Sequence, residues 1–138
     1  MNWLARREHS LAELRLKLTA RHFSPEEVET TVTNLAQEGL VSDDRFAEAF
    51  IIARVQKGQG PLRIRIELEQ RGVSNELIES ALDRHGVDWN ALALSVREKK
   101  FGAACVTDYR DRARQARFLN YRGFTGEQIQ NALDQERD

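Results

Sequence analysis

The sequence is poor in what would staple, break or strongly charge a fold. It has one cysteine, so no internal disulfide can form, and Cys105 reads as a small buried apolar side chain. Two prolines and eight glycines in 138 residues leave few places where a helix has to stop. No apolar run approaches the roughly 20 residues needed to cross a bilayer. The basic start, Met1-Asn2-Trp3-Leu4-Ala5-Arg6-Arg7, is not followed by a secretory apolar stretch. A cytoplasmic protein without a membrane partner is expected. Net charge is missing as well, since 21 Lys and Arg face 22 Asp and Glu. The total therefore says nothing about a polyanionic partner, and only the distribution of charge can.

Chemistry is also scarce. The three histidines, His9, His22 and His85, are isolated, each near an expected helix end where the dipole favours it. There is no Cys/His metal spacing, no phosphate-binding glycine loop and no nucleophile motif. Asp43-Asp44 follow Ser42 and read as first-turn charges of a helix rather than metal carboxylates. The expectation is a protein that is not an enzyme and holds no cofactor or metal.

What the sequence has is a repeat. "LEQRGVSNELIESAL" (68–82) and "LNYRGFTGEQIQNAL" (119–133) share Leu, Arg-Gly, an apolar residue, Ser or Thr, Ile and Ala-Leu at matched positions. A weaker copy, "LTARHFSPEEVETTV" (18–32), aligns without gaps but has His22 where the others have Gly72 and Gly123. A period near fifty residues signals stacked supersecondary units. Each copy reads as a helix end followed by a helix start. Arg near the C-terminus suits the dipole and Gly takes the left-handed cap. Ser24, Ser74 and Thr125 are N-caps, with Glu27 and Gln128 completing capping boxes. Phe23, Val73 and Phe124 are placed to staple each corner into the core. Upstream, Ser10 with Glu13, Ser42, Pro61 and Asp88 open further helices, and the loop 101–107 precedes another.

The pattern predicts an all-α chain of about nine helices, over 2–9, 10–21, 25–38, 43–57, 61–71, 75–85, 88–100, 108–122 and 126–135. They would form three tandem three-helix repeats, about 1–38, 39–86 and 87–138, within one domain (1–138), as an elongated, curved array. A single compact bundle with coincidental likeness between helices is the alternative.

Charge is uneven along this array. Between Arg54 and Ile66 lie Arg54, Lys57, Arg63 and Arg65 and no acid. Between Arg97 and Arg117 lie seven bases, including Lys99, Lys100, Arg110, Arg114 and Arg117, against three acids. Arg63–Glu67, Arg65–Glu69 and Asp108–Arg112 are spaced for i,i+4 pairing and read as structural. Arg110, Arg114 and Arg117 form a same-sign stripe, which costs a few tenths of a kcal/mol. The stripe, aided by Lys99 and Lys100, is a candidate contact for phosphates or an acidic protein surface. Arg54 and Lys57 are a candidate second patch. A solvated face is the plain alternative for both.

Three stretches carry a resemblance: "REHSLAELRLKL", "GLVSDDRFAEAFIIARVQKGQGPLRIRIELEQRGVSNELIESAL" and "RFLNYRGFTGEQIQNAL". Together they resemble the RecX family of bacterial RecA regulators over nearly the whole chain. The middle stretch is the most specific, with Asp-x-Arg-Phe-Ala, Lys-Gly-x-Gly-Pro, Arg-Ile-x-x-Glu-Leu and Arg-Gly. The resemblance implies tandem three-helix repeats and binding to RecA nucleoprotein filaments, with the body lying in the filament groove. It also implies suppression of recombinase and coprotease activity, by blocking filament growth or promoting disassembly, and DNA binding, single- or double-stranded. No catalytic residue or cofactor is implied, and a monomer is expected. The chain starts almost at the first helix, so the N-terminal extension of many members is not expected. Two rivals remain, a stand-alone helical DNA-binding protein and a generic helical-repeat adaptor. Against the first, the helices after each Arg-Gly corner carry Glu76, Glu79, Asp83, Glu127 and Asp134, which phosphates would repel.

Overall fold

The computed structural model describes residues 7–134. Among them are eight α-helices and no strand: α1 (Leu11–Ala20), α2 (Pro25–Gln37), α3 (Asp43–Gln56), α4 (Pro61–Gln70), α5 (Asn75–His85), α6 (Trp89–Phe101), α7 (Tyr109–Arg122) and α8 (Gly126–Leu133). Of the helix expected over 2–9, residues 2–6 lie outside the described residues, and residues 7–9 are not helical.

The helix starts follow from their caps. Ser10, Ser24 and Thr125 each accept from the backbone N–H three residues on, and Glu13, Glu27 and Gln128 return the bond, giving three full capping boxes. The Glu27 carboxyl lies below its usual range because it accepts from the Ser24 backbone N–H. Ser42, Ser74 and Asp88 cap α3, α5 and α6 through Arg45, Leu77 and Ala91. Asp108 caps α7 by accepting from the Arg110 N–H, and Arg112 pairs instead with Asp134, Nη2 to Oδ1 at 2.7 Å.

The repeated corners share one geometry. At each, the N–H of the left-handed residue bonds the carbonyl three back, and the next N–H reaches five back. These pairs are His22 to Thr19 with Phe23 to Leu18, Gly72 to Glu69 with Val73 to Leu68, and Gly123 to Asn120 with Phe124 to Leu119. The left-handed φ values are 69°, 82° and 98°.

Contacts divide the chain into two units, whose boundaries fall inside α3 and α4. The first runs to Ile51 and takes in Glu67–His85; the second comprises Ile52–Ile66 and the chain from Gly86 onward. In the first, Leu14, Leu18, Val28, Val32 and Val41 form a buried cluster. The Arg71-Gly72 corner lies on the start of α1, where Ser10 Oγ donates to the Arg71 carbonyl at 2.7 Å. A Cβ on Gly72 would overlap the Cβ of Ala12. Asp43 and Asp44 both make tertiary contacts here: Asp43 accepts from the Leu11 N–H at 2.8 Å, and Asp44 pairs with Arg84.

The second unit repeats the arrangement. Ala93, Leu119, Phe124, Ile129, Ala132 and Leu133 form its core. The Arg122-Gly123 corner lies on the start of α4, with Gly60 N–H to the Arg122 carbonyl at 2.8 Å and Leu62 N–H to the Gly123 carbonyl at 2.9 Å. A Cβ on Gly123 would overlap that of Arg63.

Four expectations need correction. Cys105 is exposed, because it sits in the surface loop between α6 and α7 rather than on a packed helix face. Phe23 is 44% exposed, whereas its counterparts Val73 and Phe124 are buried. The residues of the first corner, Arg21, His22 and Phe23, are all exposed. His9 is not a helix-end residue but is buried (1% exposed) just before the α1 N-cap. Its Nδ1 lies 3.1 Å from the Arg7 carbonyl and its Nε2 2.8 Å from the Lys17 ammonium, so the neutral ring donates from Nδ1 and accepts at Nε2. Arg97, counted with the surface bases, is 2% exposed. Its Nε donates to Gln115 Oε1 at 2.8 Å and its Nη2 to the Ala104 carbonyl at 2.6 Å, which ties α6 to α7 and to the loop between them.

Candidate functional site

The candidate residues gather in the second unit, and they group differently from their order in the sequence. A cleft of about 290 Å³ lies between the end of α3, the outer face of α6 and the last turns of α7. Val55, Leu92, Val96 and Phe118 give it an apolar lining. Lys57, Lys99, Lys100 and Arg122 give it four cations, and no carboxylate lines it. Lys57 thus joins Lys99 and Lys100 across 42 residues of sequence, and Arg54, its expected neighbour in a second patch, does not line the cleft. Arg54 is half-buried, and its Nη1 lies 3.4 Å from Gln59 Oε1.

Local structure explains the cleft. Gly58 closes α3 in the left-handed conformation (φ 79°), with its N–H on Val55 and the Gln59 N–H on Arg54. A Cβ there would stand 2.8 Å from Val96 Cγ2, so glycine lets the α3 corner lie directly on α6. Arg122 holds that corner by donating from Nη1 to the Lys57 carbonyl at 2.7 Å. Its guanidinium also lies 5.1 Å from the Phe118 ring centre, and Lys100 Nζ lies 5.6 Å from the same centre. Lys57 and Lys99 are exposed.

The three arginines of the expected stripe lie on α7. Arg110, Arg114 and Arg117 are all exposed. Arg114 is partnered: its Nη2 contacts Asp111 Oδ1 at 2.6 Å, and its guanidinium lies 4.9 Å from the centre of Phe101. The Arg114 hydrogen bond, foremost, holds the Asp111 carboxyl below the usual carboxylate range. Gln115, which anchors Arg97, donates to the other Asp111 oxygen at 3.1 Å. Phe101 meets Phe118 edge-on at 5.3 Å, so aromatic contacts run from the stripe to the cleft wall.

Three residues that belong to these surfaces escaped sequence reasoning. Tyr109 and Tyr121 are 83% and 74% exposed, unusual for tyrosine on a helix. Tyr121 continues the spacing 110, 114, 117, 121 along one helix face, a signal readable in the sequence, and the Arg63 guanidinium lies 5.4 Å from its ring centre. Arg122 read only as a helix-closing residue. Its contact with Lys57 spans 65 residues and left no local mark.

Among the described residues, no group of three or more His, Cys, Asp or Glu side chains is placed to hold a metal ion. No helix among them is long and apolar enough to cross a membrane.

Comparison with known proteins accounts for the repeated corners. Family profiles described as the first, second and third three-helix domains of RecX match residues 1–35, 42–82 and 88–133. The regulatory protein RecX of Halorhodospira halophila is 49% identical over 129 residues, covering 94% of this chain and 80% of that one. The regulatory protein RecX of Pseudomonas fluorescens strain SBW25 is 44% identical over 133 residues, covering 96% and 86%. The crystal structure of RecX from Lactobacillus salivarius superposes with a TM-score of 0.80 at 20% identity, over 96% of this chain and 90% of that one. With three successive three-helix domains matched and close relatives covered over most of their length, this chain belongs to the RecX family of regulatory proteins.

Proposed function

We propose that this protein binds RecA nucleoprotein filaments and restrains their recombinase and coprotease activities in recombination, repair and the SOS response, acting by contact rather than by chemistry of its own. Membership of the family, matched in three successive domains, carries this reading. The surfaces of the second unit suit it. A filament offers both phosphate and protein, and this unit carries an exposed arginine–tyrosine face on α7 beside a lysine-rimmed apolar cleft. Arginines with exposed aromatic rings suit phosphates and splayed bases. An apolar floor with a cationic rim suits acidic protein surface. In this reading Arg110, Arg114, Arg117, Lys57, Lys99 and Lys100 make the contacts, Arg54 supports the α3 corner, and the protein works as a cytoplasmic monomer.

The test is RecA's single-stranded-DNA-dependent ATP hydrolysis with this protein added below stoichiometry. Hydrolysis is expected to fall progressively after addition. Unchanged hydrolysis and strand exchange at equimolar protein would overturn the reading. Stronger retention on RecA filaments than on the same DNA without RecA separates it from a stand-alone DNA-binding protein, and no retention on filaments at all would favour a generic adaptor.

A further inference from the structure

The α3–α6–α7 cleft has a chemistry that neither phosphate binding nor helix capping explains. Lysines at 57, 99 and 100 do suit the C-terminal dipoles of α3 and α6. Dipoles alone, however, do not call for an open apolar floor beneath them. Val55, Leu92 and Val96 line that floor from two helices, and the Gly58 corner and Arg122 hold its wall through the Lys57 carbonyl. Its volume, about 290 Å³, is near the lower end of small-ligand sites, which run from about 300 to 1,000 Å³.

We infer that this cleft is a docking site for an acidic peptide segment that inserts one bulky apolar side chain. The apolar side chain takes the floor, and flanking carboxylates pair with Lys57, Lys99 and Lys100. Charge complementarity selects the peptide's sign, since four cations and no carboxylate line the site. The floor selects a peptide over a nucleic acid. A base needs a free aromatic face to stack on. The one aromatic lining the cleft, Phe118, is already met by Lys100, Arg122 and the edge of Phe101, and the rest of the floor is aliphatic. The exposed tyrosines lie outside the cleft. The inference rests on the reading of this protein as one that works by docking, and it names the partner chemistry of one part of its surface.

The experiment needs no RecA. A dye-labelled peptide with Leu-Phe between runs of Asp and Glu is titrated with the full chain by fluorescence anisotropy. Saturable binding is expected, weakened at least tenfold when Leu-Phe becomes Ser-Ser. The double variant Lys57→Gln, Lys99→Gln, at two exposed sites, should weaken it by a similar factor with unchanged circular dichroism. Ser95→Trp, which fills the cleft from its exposed wall, should abolish it. Equal binding of both peptides would overturn the inference in favour of a general polyanion surface. So would an oligothymidylate that binds with the same dependence on Lys57, Lys99 and Ser95. Absent peptide binding by a protein that still inhibits RecA would sink this inference alone. Peptide binding by a protein without effect on RecA would leave the cleft assigned and remove the filament reading.

Discussion

Single positions show why the repeats differ. Gly72 and Gly123 are held by two demands at once: a left-handed φ, and a neighbouring Cβ sixty residues earlier in the chain that leaves no room for another. His22 meets only the first demand, since its corner is exposed. Holding a non-glycine residue there costs about 1 kcal/mol. Gly72→Ala and Gly123→Ala are therefore expected to lower stability by well over 1 kcal/mol in urea unfolding, through strain and overlap together. His22→Gly should be neutral or stabilising by up to about 1 kcal/mol. Equal losses at all three would remove the distinction. His9 makes a prediction in pH. Burial first, then the Lys17 and Arg7 charges, hold its pKa below the ordinary 6.5, against the Arg7 carbonyl and Glu13. The unfolded chain then binds the proton more readily, so this contribution is complete above pH 6.5 and is lost as pH falls through the folded pKa. His9→Gln should flatten the stability profile between pH 7 and 5; an unchanged slope would assign the acid loss to other groups.

At the scale of elements, short helices depend on their ends. α8 has eight residues, too few to persist by propensity alone. Its capping box and its buried face of Ile129, Ala132 and Leu133 share the work. Thr125→Ala should cost about 1 kcal/mol, the usual effect of removing a capping hydroxyl. Thr125→Ser should cost little, and equal losses would mean that methyl packing, not the cap, matters. The same end rules made most boundaries readable. Ser10, Ser24 and Thr125 announce starts and Gly58, Gly72 and Gly123 announce stops, each through a bond within five residues, while Pro61 announces a start through its fixed φ. Where the reading slipped, tertiary contact had intervened. Asp108 was spaced for Arg112 but caps its helix, while Arg112 turns to Asp134.

At the scale of the whole molecule, the arginine face and the lysine cleft make separable contributions. Arg110 and Arg117 are exposed, whereas Arg114 is committed to Asp111 and Phe101. If Arg110 and Arg117 each touch a phosphate, the pair Arg110→Ala, Arg117→Ala should flatten the log-affinity against log-salt slope for single-stranded DNA by about 1.4, about 0.7 for each contact. Both sites are exposed, so the melting temperature should stay near that of the parent protein. An unchanged slope would make this face a solvated one.

Composition, helical periodicity and cap residues by themselves determined that this chain is helical, where most of its described helices begin and end, and that it repeats. Those features are written in bonds between residues three to five apart, so any stretch of sequence carries its own record. The same locality made the arginine stripe legible, because its members share one helix. Tertiary structure alone decided that Arg97 is buried, that His9 sits against Lys17, and that Lys57 faces Lys99 and Lys100. It also decided why glycine is needed at two corners and dispensable at the third. These outcomes depend on which side chains arrive from far along the chain to fill or crowd a site, and packing between distant helices leaves no period in the sequence to read.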